Sequence, residues 1–360
     1  MRVGIIGFPQ SGKTTLFSLL TGADATVSRR AGRGELHIGV AWVPDERLER
    51  LAALFRPERV VHASLEVVDL AGFERGERTA LEVVDLRSAD ALLHVVRAFP
   101  LAARGPAPEA AREVAGLEEE LILADLEVVE RRLDRLGPAL KRKPTEAEQR
   151  EQALLARVKP ILEGGVPLRA QALAAEDARV LRGFRFLSLK PILHCLNLAE
   201  TDLERREERL AAVAHVAKHP DTRVGWVSAL LEGEVAALRR DEQRAFLDAL
   251  GLPEPALQRV IRDAYALLGL ASFFTMNEDE VHAWTLRAGD TALEAAGAVH
   301  SDMARGFIRA EVIGWAELLE AGSLAEARRR GALRLEGKDY PVQDGEVCHF
   351  RFSRGPTLKL

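Results

Sequence analysis

The sequence predicts an α/β fold in which a parallel sheet is interrupted by a helical hairpin and followed by a small α+β module. Short apolar runs of strand length at 3–6, 65–70, 91–96, 191–196 and 222–228 alternate with segments of helical character, and that alternation implies a parallel sheet. From about 106 to 160, Leu117, Leu121, Leu126, Val129 and Leu133 recur at helical spacing among dense Glu and Arg. That charged pattern is too long for a helix that merely covers a sheet, so it reads as an antiparallel hairpin. In the last ninety or so residues, strand-like pieces at 280–286, 307–312 and 347–352 are separated by Gly-rich turns and one short helix near 324–330. The expected domains are therefore 1–105 with 165–268, an insertion at 106–164, and a module at 269–360.

With 360 residues, 47% of them hydrophobic and 29% charged, the chain holds enough apolar material for more than one core. A formal net charge of -5 argues against non-specific coating of nucleic acid, and no DNA partner is expected, although a local basic face could touch RNA. Cys195 and Cys348, far apart and without metal-type spacing, give neither a disulfide framework nor a zinc site. The apolar start is too short for a signal sequence and no run of 18 apolar residues occurs, so the expectation is a soluble cytoplasmic protein without a membrane partner.

Gly7-Phe8-Pro9-Gln10-Ser11-Gly12-Lys13-Thr14 fits G-x-x-x-x-G-K-[ST] and lies between a predicted strand and a predicted helix, the context that a phosphate-binding P-loop requires. Gly7, Pro9, Gln10, Ser11, Gly12, Lys13, Thr14 and Thr15 are the candidate phosphate residues. Backbone amides and the helix N-terminus supply positive potential, Lys13 reaches the β and γ oxygens, and Thr14 ligates Mg2+. Asp69-Leu70-Ala71-Gly72 closes the predicted strand Leu65 to Val68, so Asp69 would hold a magnesium-bound water and the Gly72 amide would sense the γ-phosphate. Asn197-Leu198-Ala199-Glu200 follows a strand where guanine-reading proteins carry N-K-x-D. There an Asp accepts two hydrogen bonds from guanine; the longer Glu200 misplaces those acceptors and Leu198 offers an apolar surface in place of the Lys stem. Guanine selectivity should be lost. Ser228, Ala229 and Leu230 form the expected base-backing loop after the next strand.

These words resemble the YchF family, also called Obg-like ATPases, over nearly the whole chain. Asn197 and Glu200 match its N-x-x-E, and Val43-Pro44-Asp45-Glu46-Arg47-Leu48 its V-P-D-x-R-L; Leu123-Ala124-Asp125-Leu126-Glu127 looks like the start of its coiled-coil insertion. Towards the C-terminus the family's words recur at 296–302, at 306–312, at 335–340 and in Gln343-Asp344-Gly345. The resemblance implies a P-loop GTPase-type domain with a coiled-coil insertion and a C-terminal TGS-like (ubiquitin-like) α+β domain. It also implies a preference for ATP over GTP and association with the ribosome or its RNA through the insertion and the TGS-like domain.

The chain departs from the family pattern around the phosphates. Gln10 stands where the family's P-loop has an Asn linked to a monovalent cation, no Thr occurs in 32–39 where switch I would close over magnesium, and the segment after Asp69 is several residues short. Phe73 replaces the water-positioning Gln of Ras-like enzymes, a hydrophobic replacement shared with the family. The family's proposed catalytic His aligns with Asp85, which could serve as a base or be a carboxylate on a helix surface. His37, His62 and His94 are candidates by residue type alone, and His94 matches a structural strand segment of the family. The expected catalytic set is thus Lys13, Asp69, Gly72 and Asp85, and the expected activity is a slow ATPase switch. The other readings are a binding module that barely hydrolyses and a GTPase.

Overall fold

A computed structural model describes residues 1–22, 26–29, 35–69, 86–101, 107–140, 142, 144–277 and 279–353. Along the chain the strands are β1 (Arg2–Ile6), β2 (Thr26–Arg29), β3 (Glu35–Trp42), β4 (Arg59–Val61), β5 (Ser64–Asp69), β6 (Ala91–Ala98), β7 (Ile192–Leu198) and β8 (Thr222–Val227). They continue with β9 (Leu270–Met276), β10 (Glu280–Arg287), β11 (Phe307–Gly314), β12 (Arg334–Glu336) and β13 (Glu346–Phe352). The chain divides into two compact units, Met1–Ala41 with Glu66–Leu267, and Trp42–Leu65 with Leu268–Leu360.

In the first unit the strand order is β2-β3-β5-β1-β6-β7-β8. β1 pairs in parallel with β5 and β6, and β7 pairs in parallel with β6 and β8. β7 is buried at every position, as expected of a central strand in a sheet covered on both faces. At the edge β2 pairs with β3 in antiparallel fashion, an element that the expected all-parallel sheet lacked. From β1 the chain builds outward to one side and then, at β6, to the other. Such a reversal leaves a crevice beyond the carboxyl ends of the strands, where α/β sheets bind ligands.

The charged segment folds as two helices, Ala110–Leu140 and Glu146–Glu163, the second opened by a Thr145–Glu148 capping box. They do two jobs, where the sequence pattern points to a hairpin alone. Leu117, Leu121 and Ala124 pack on the sheet beside Ile6, Val68 and Leu92, while Val129 and Leu136 pack against Leu154, Leu155 and Val158 of the return helix. The first half of the long helix therefore covers the sheet and its second half makes the hairpin. Asp125, fully buried between the halves, accepts from the amides of Leu187 (2.9 Å) and Ser188 (2.7 Å) and from Arg87 Nη1 (2.9 Å). Burial lifts its pKa while Arg87 and the two amides hold it down.

The second unit has the order β12-β11-β13-β9-β10-β4, a mixed sheet in which β10 pairs in parallel with β4 and antiparallel with β9. Phe273, Val312, Cys348 and Phe350 pack with Ala292, Ala295 and Ala296 of the helix Ala292–Val299, which a Thr291–Glu294 capping box opens. Trp42–Leu65 belongs to this unit, so the expected first-domain range 1–105 is not one body. The reason is visible in two separated sequence words. Asp45 caps the helix Glu46–Phe55, and Arg47 reaches from that helix to Asp344 (2.7 and 3.1 Å), whose Oδ1 also accepts from the Ser272 amide at 2.8 Å. Gly345 has φ +87° and a Cβ there would lie 2.8 Å from Trp315 and 2.9 Å from Arg47 Nη1, so the Gln-Asp-Gly word is shaped by the Arg47 side chain. Among the described residues no helix is long and apolar enough to cross a membrane.

Candidate functional site

β1 delivers the chain into the loop 7–12, and the helix Lys13–Thr21 leaves it. The backbone of that loop explains its glycines. Gly7 has φ +153° and a Cβ would stand 2.5 Å from the Val95 carbonyl oxygen; Gly12 has φ +95° and a Cβ would stand 2.3 Å from Asn197 Nδ2. Gln10 adopts φ +63°, a left-handed conformation for which Asn is better suited than Gln. Gly12 caps the helix without a side chain, which leaves the first amides of the helix to meet an anion. Ser11 is fully buried, whereas Thr14 and Thr15 are exposed and Pro9 is half-buried.

Lys13 is only 8% exposed and its Nζ donates to the Phe8 carbonyl at 2.8 Å. Burial lowers its proton affinity and Asp69 partly restores it. Asp69 ends β5; burial raises its pKa, and a hydrogen bond from Thr14 with the charges of Lys13 and His37 pulls it back. The Thr14 hydroxyl and the Asp69 carboxylate thus meet as two hard oxygen donors beside the loop, a set that fits magnesium chemistry.

Asn197 ties the site together. Its Nδ2 donates to the Ser11 carbonyl (3.0 Å) and its Oδ1 accepts from the Ala229 amide (3.0 Å), so one buried amide joins the P-loop to the loop after β8. Ser228 is buried, Ala229 opens the helix Ala229–Ala237, and Leu230 is 71% exposed. Leu198 is buried at the end of β7, while Glu200 is exposed at the start of a short 3-10 helix. Gly72 and Asp85 lie outside the described residues, as do Phe73 and the 32–34 part of the switch I stretch.

A family model described as a 50S ribosome-binding GTPase matches residues 2–130, and a model named for the C-terminal part of YchF GTPases, described as a protein of unknown function, matches 270–353. The ribosome-binding ATPase YchF of Bacillus subtilis (strain 168) is 36% identical, with 98% of this chain and 99% of the relative covered. That of Haemophilus ducreyi is 38% identical over the same shares of the two chains. This chain belongs to the YchF family. The structure of the Schizosaccharomyces pombe YchF GTPase superposes with a TM-score of 0.84 at 26% identity, covering 98% of this chain and 97% of that one. Its P-loop GTPase domain and C-terminal YchF domain account for the two family matches.

Buried polar residues also lie on and beside the YchF-family sheet, and sequence reading missed Glu232 and His194 among them. Glu232 is 2% exposed and accepts from the Ala256 amide (2.7 Å), which caps the helix Ala256–Leu267. His94 and His194 are both fully buried, with Nδ1 atoms 2.9 Å apart, and burial depresses the proton affinity of both rings. The pair carries a pH consequence. Because the folded pKa lies below the ordinary 6.5, the stability contributed by keeping each ring neutral is present above about pH 6.5 and is lost as pH falls below it. Each ring is expected to add about 1.4 kcal/mol per pH unit to the acid-side slope. Urea midpoints between pH 7 and 5 should fall more steeply in the parent than in a variant with His94→Asn and His194→Asn; equal slopes would contradict the assignment.

Proposed function

We propose that this YchF-family chain binds ATP with Mg2+ at the P-loop, hydrolyses it slowly and serves as a ribosome-associated switch in the cytoplasm. The observation that carries the reading is the Asn197 bridge, because it places the phosphate loop and the base-backing loop in one rigid frame. In this frame the loop amides and Lys13 would hold the phosphates, and Lys13 would exchange its Phe8 carbonyl for the β and γ oxygens. Thr14 and Asp69 would hold the metal, which supplies charge neutralisation at the phosphates when bound. The relatives named ribosome-binding ATPases support the ribosomal partner.

Relatives are named both ATPase and GTPase, and the residues favour the first. Glu200 carries one methylene more than the Asp that reads guanine, and Leu198 is buried where a Lys stem would lie. ATP is expected to bind at least as tightly as GTP. Glu200→Asp should move the ratio of the two affinities towards GTP, as read by competition with a fluorescent nucleotide; because Leu198 is buried, the single change is the cleaner test. An unchanged ratio would show that Glu200 does not set base choice.

A binding module that barely hydrolyses is favoured by the loss of the group of residues that would align the attacking water: Phe73 replaces the Gln, no Thr occurs in 32–39, and Asp85 stands at the position of the family's His. Without that group, phosphate positioning and metal neutralisation remain, which gives an expected basal turnover of roughly 10⁻⁴ to 10⁻³ per second, the intrinsic Ras scale. Single-turnover hydrolysis with and without ribosomes separates the two readings: a ribosome-stimulated rate supports the switch. Asp85→Asn in the same assay tells a working base from a surface carboxylate. Basal turnover near one per second would require a further catalytic group and would overturn the slow-switch reading.

A further inference from the structure

Beneath the P-loop runs a line of buried polar side chains that the nucleotide reading leaves unused. Arg169, 4% exposed, pairs with Glu118 of the long helix and donates to Thr222 Oγ1 (3.1 Å) and the Ser188 carbonyl (3.2 Å). His194 Nε2 lies 3.2 Å from Glu118 Oε1, and His194 Nδ1 lies 2.9 Å from His94 Nδ1. His94 stands opposite Ile6 in the β1–β6 register, one residue before Gly7, and Lys13 is among the charges acting on its ring. Its Nε2 is buried without a hydrogen-bond partner among the described residues; that of His194 also makes no well-aligned hydrogen bond, but it has the Glu118 carboxylate oxygen at 3.2 Å.

The line fixes its own tautomers. Despite burial, the bond from His194 and the charge of Arg169 hold Glu118 down at about 2, so it is an ionised, acceptor-only carboxylate. His194, neutral through burial, must then donate from Nε2, and its Nδ1 becomes an acceptor. His94, also neutral, must donate from Nδ1 to that acceptor. Its Nε2 is left as a lone pair with no donor among the described residues, and an unmatched buried acceptor is destabilising. A sequence that needed only packing at this position could use an apolar residue, as at the flanking Leu92 and Val96.

We propose that His94 is a positioning residue of the nucleotide site, its Nε2 fixed as an acceptor by His194 and Glu118 so that it takes a hydrogen bond from a donor ordered when nucleotide fills the P-loop. The inference rests on the nucleotide reading above. It assigns a role in turnover to a histidine that touches no phosphate, and it links the long helix to the loop through Glu118. The outer end of the line is open: Glu118, Arg169 and Thr222 line a cavity of about 450 Å³ with His215 and His219.

Imidazole ¹⁵N spectra of the full chain test the tautomers directly. In nucleotide-free protein His94 should show Nε2 unprotonated and Nδ1 protonated, with the reverse for His194; saturating Mg·ATP should shift the His94 Nε2 resonance upfield as it accepts a hydrogen bond. Turnover supplies the second readout. Gln places its amide near the Nε2 position and Asn near the Nδ1 position, so His94→Asn should lower kcat at least tenfold with ATP affinity within threefold, while His94→Gln should recover part of the rate. Equal loss in both variants, or a His94 resonance unmoved in protein that demonstrably binds ATP, would overturn the inference alone. Absence of ATP binding in the parent protein would overturn the nucleotide reading as well.

Discussion

Lys13→Ala is expected to weaken ATP binding by about 10- to 150-fold, the loss of a charge-assisted contact of about 1.5–3 kcal/mol. The lysine is held in the loop by a 2.8 Å bond to the Phe8 carbonyl and sits beside Asp69, so it is already positioned where phosphate charge would arrive. The fold should survive, because the only internal bond of its ammonium among the described residues is to that carbonyl of an otherwise amide-rich loop. A folded variant with parental ATP affinity would remove the P-loop from the account.

The second large effect concerns stability. Asp125→Ala is expected to cost about 3–5 kcal/mol, because it removes the charge partner of the half-buried Arg87 guanidinium and leaves the buried Leu187 and Ser188 amides without an acceptor. At this size of unit the loss corresponds to a fall in melting temperature on the order of 10 °C. Asp125→Asn keeps one acceptor oxygen and should lose less. Calorimetry on the three proteins reads the order directly; a loss under about 1 kcal/mol for Asp125→Ala would mean that the long helix is not anchored through this carboxylate.

The sequence made five strands of the first sheet, β5, β1, β6, β7 and β8, and the P-loop legible because both are local signals. An apolar run followed by G-x-x-x-x-G-K-T needs no knowledge of what lies beside it, and β1 and the helix Lys13–Thr21 stand where that reading put them. The phosphate-loop backbone was legible for the same reason, since Gly7 and Gly12 are dictated by conformation at their own positions.

What stayed hidden depends on pairs distant in the chain. Arg47 and Asp344 were read as separate family words, and their contact, with the pairing of β4 and β10, shows that Trp42–Leu65 folds with the C-terminal unit. β9, at Leu270–Met276, was passed over because its partners β10 and β13 lie downstream and supply the ladder that makes it a strand. Asp125 was recognised as part of a motif without its role, since the amides that it binds lie beyond the hairpin. His94 was read as a packed strand histidine, and its pairing with His194 across neighbouring strands could not be seen from either position alone.

The central claim is an adenine-tolerant P-loop site framed by Asn197, with Glu200 in place of the guanine-reading Asp. Equilibrium competition of ATP and GTP for the intact protein in the presence of Mg2+ tests it most directly. The account predicts saturable binding with ATP at least as tight as GTP, and a strong preference for GTP, or no saturable binding of either, would contradict it.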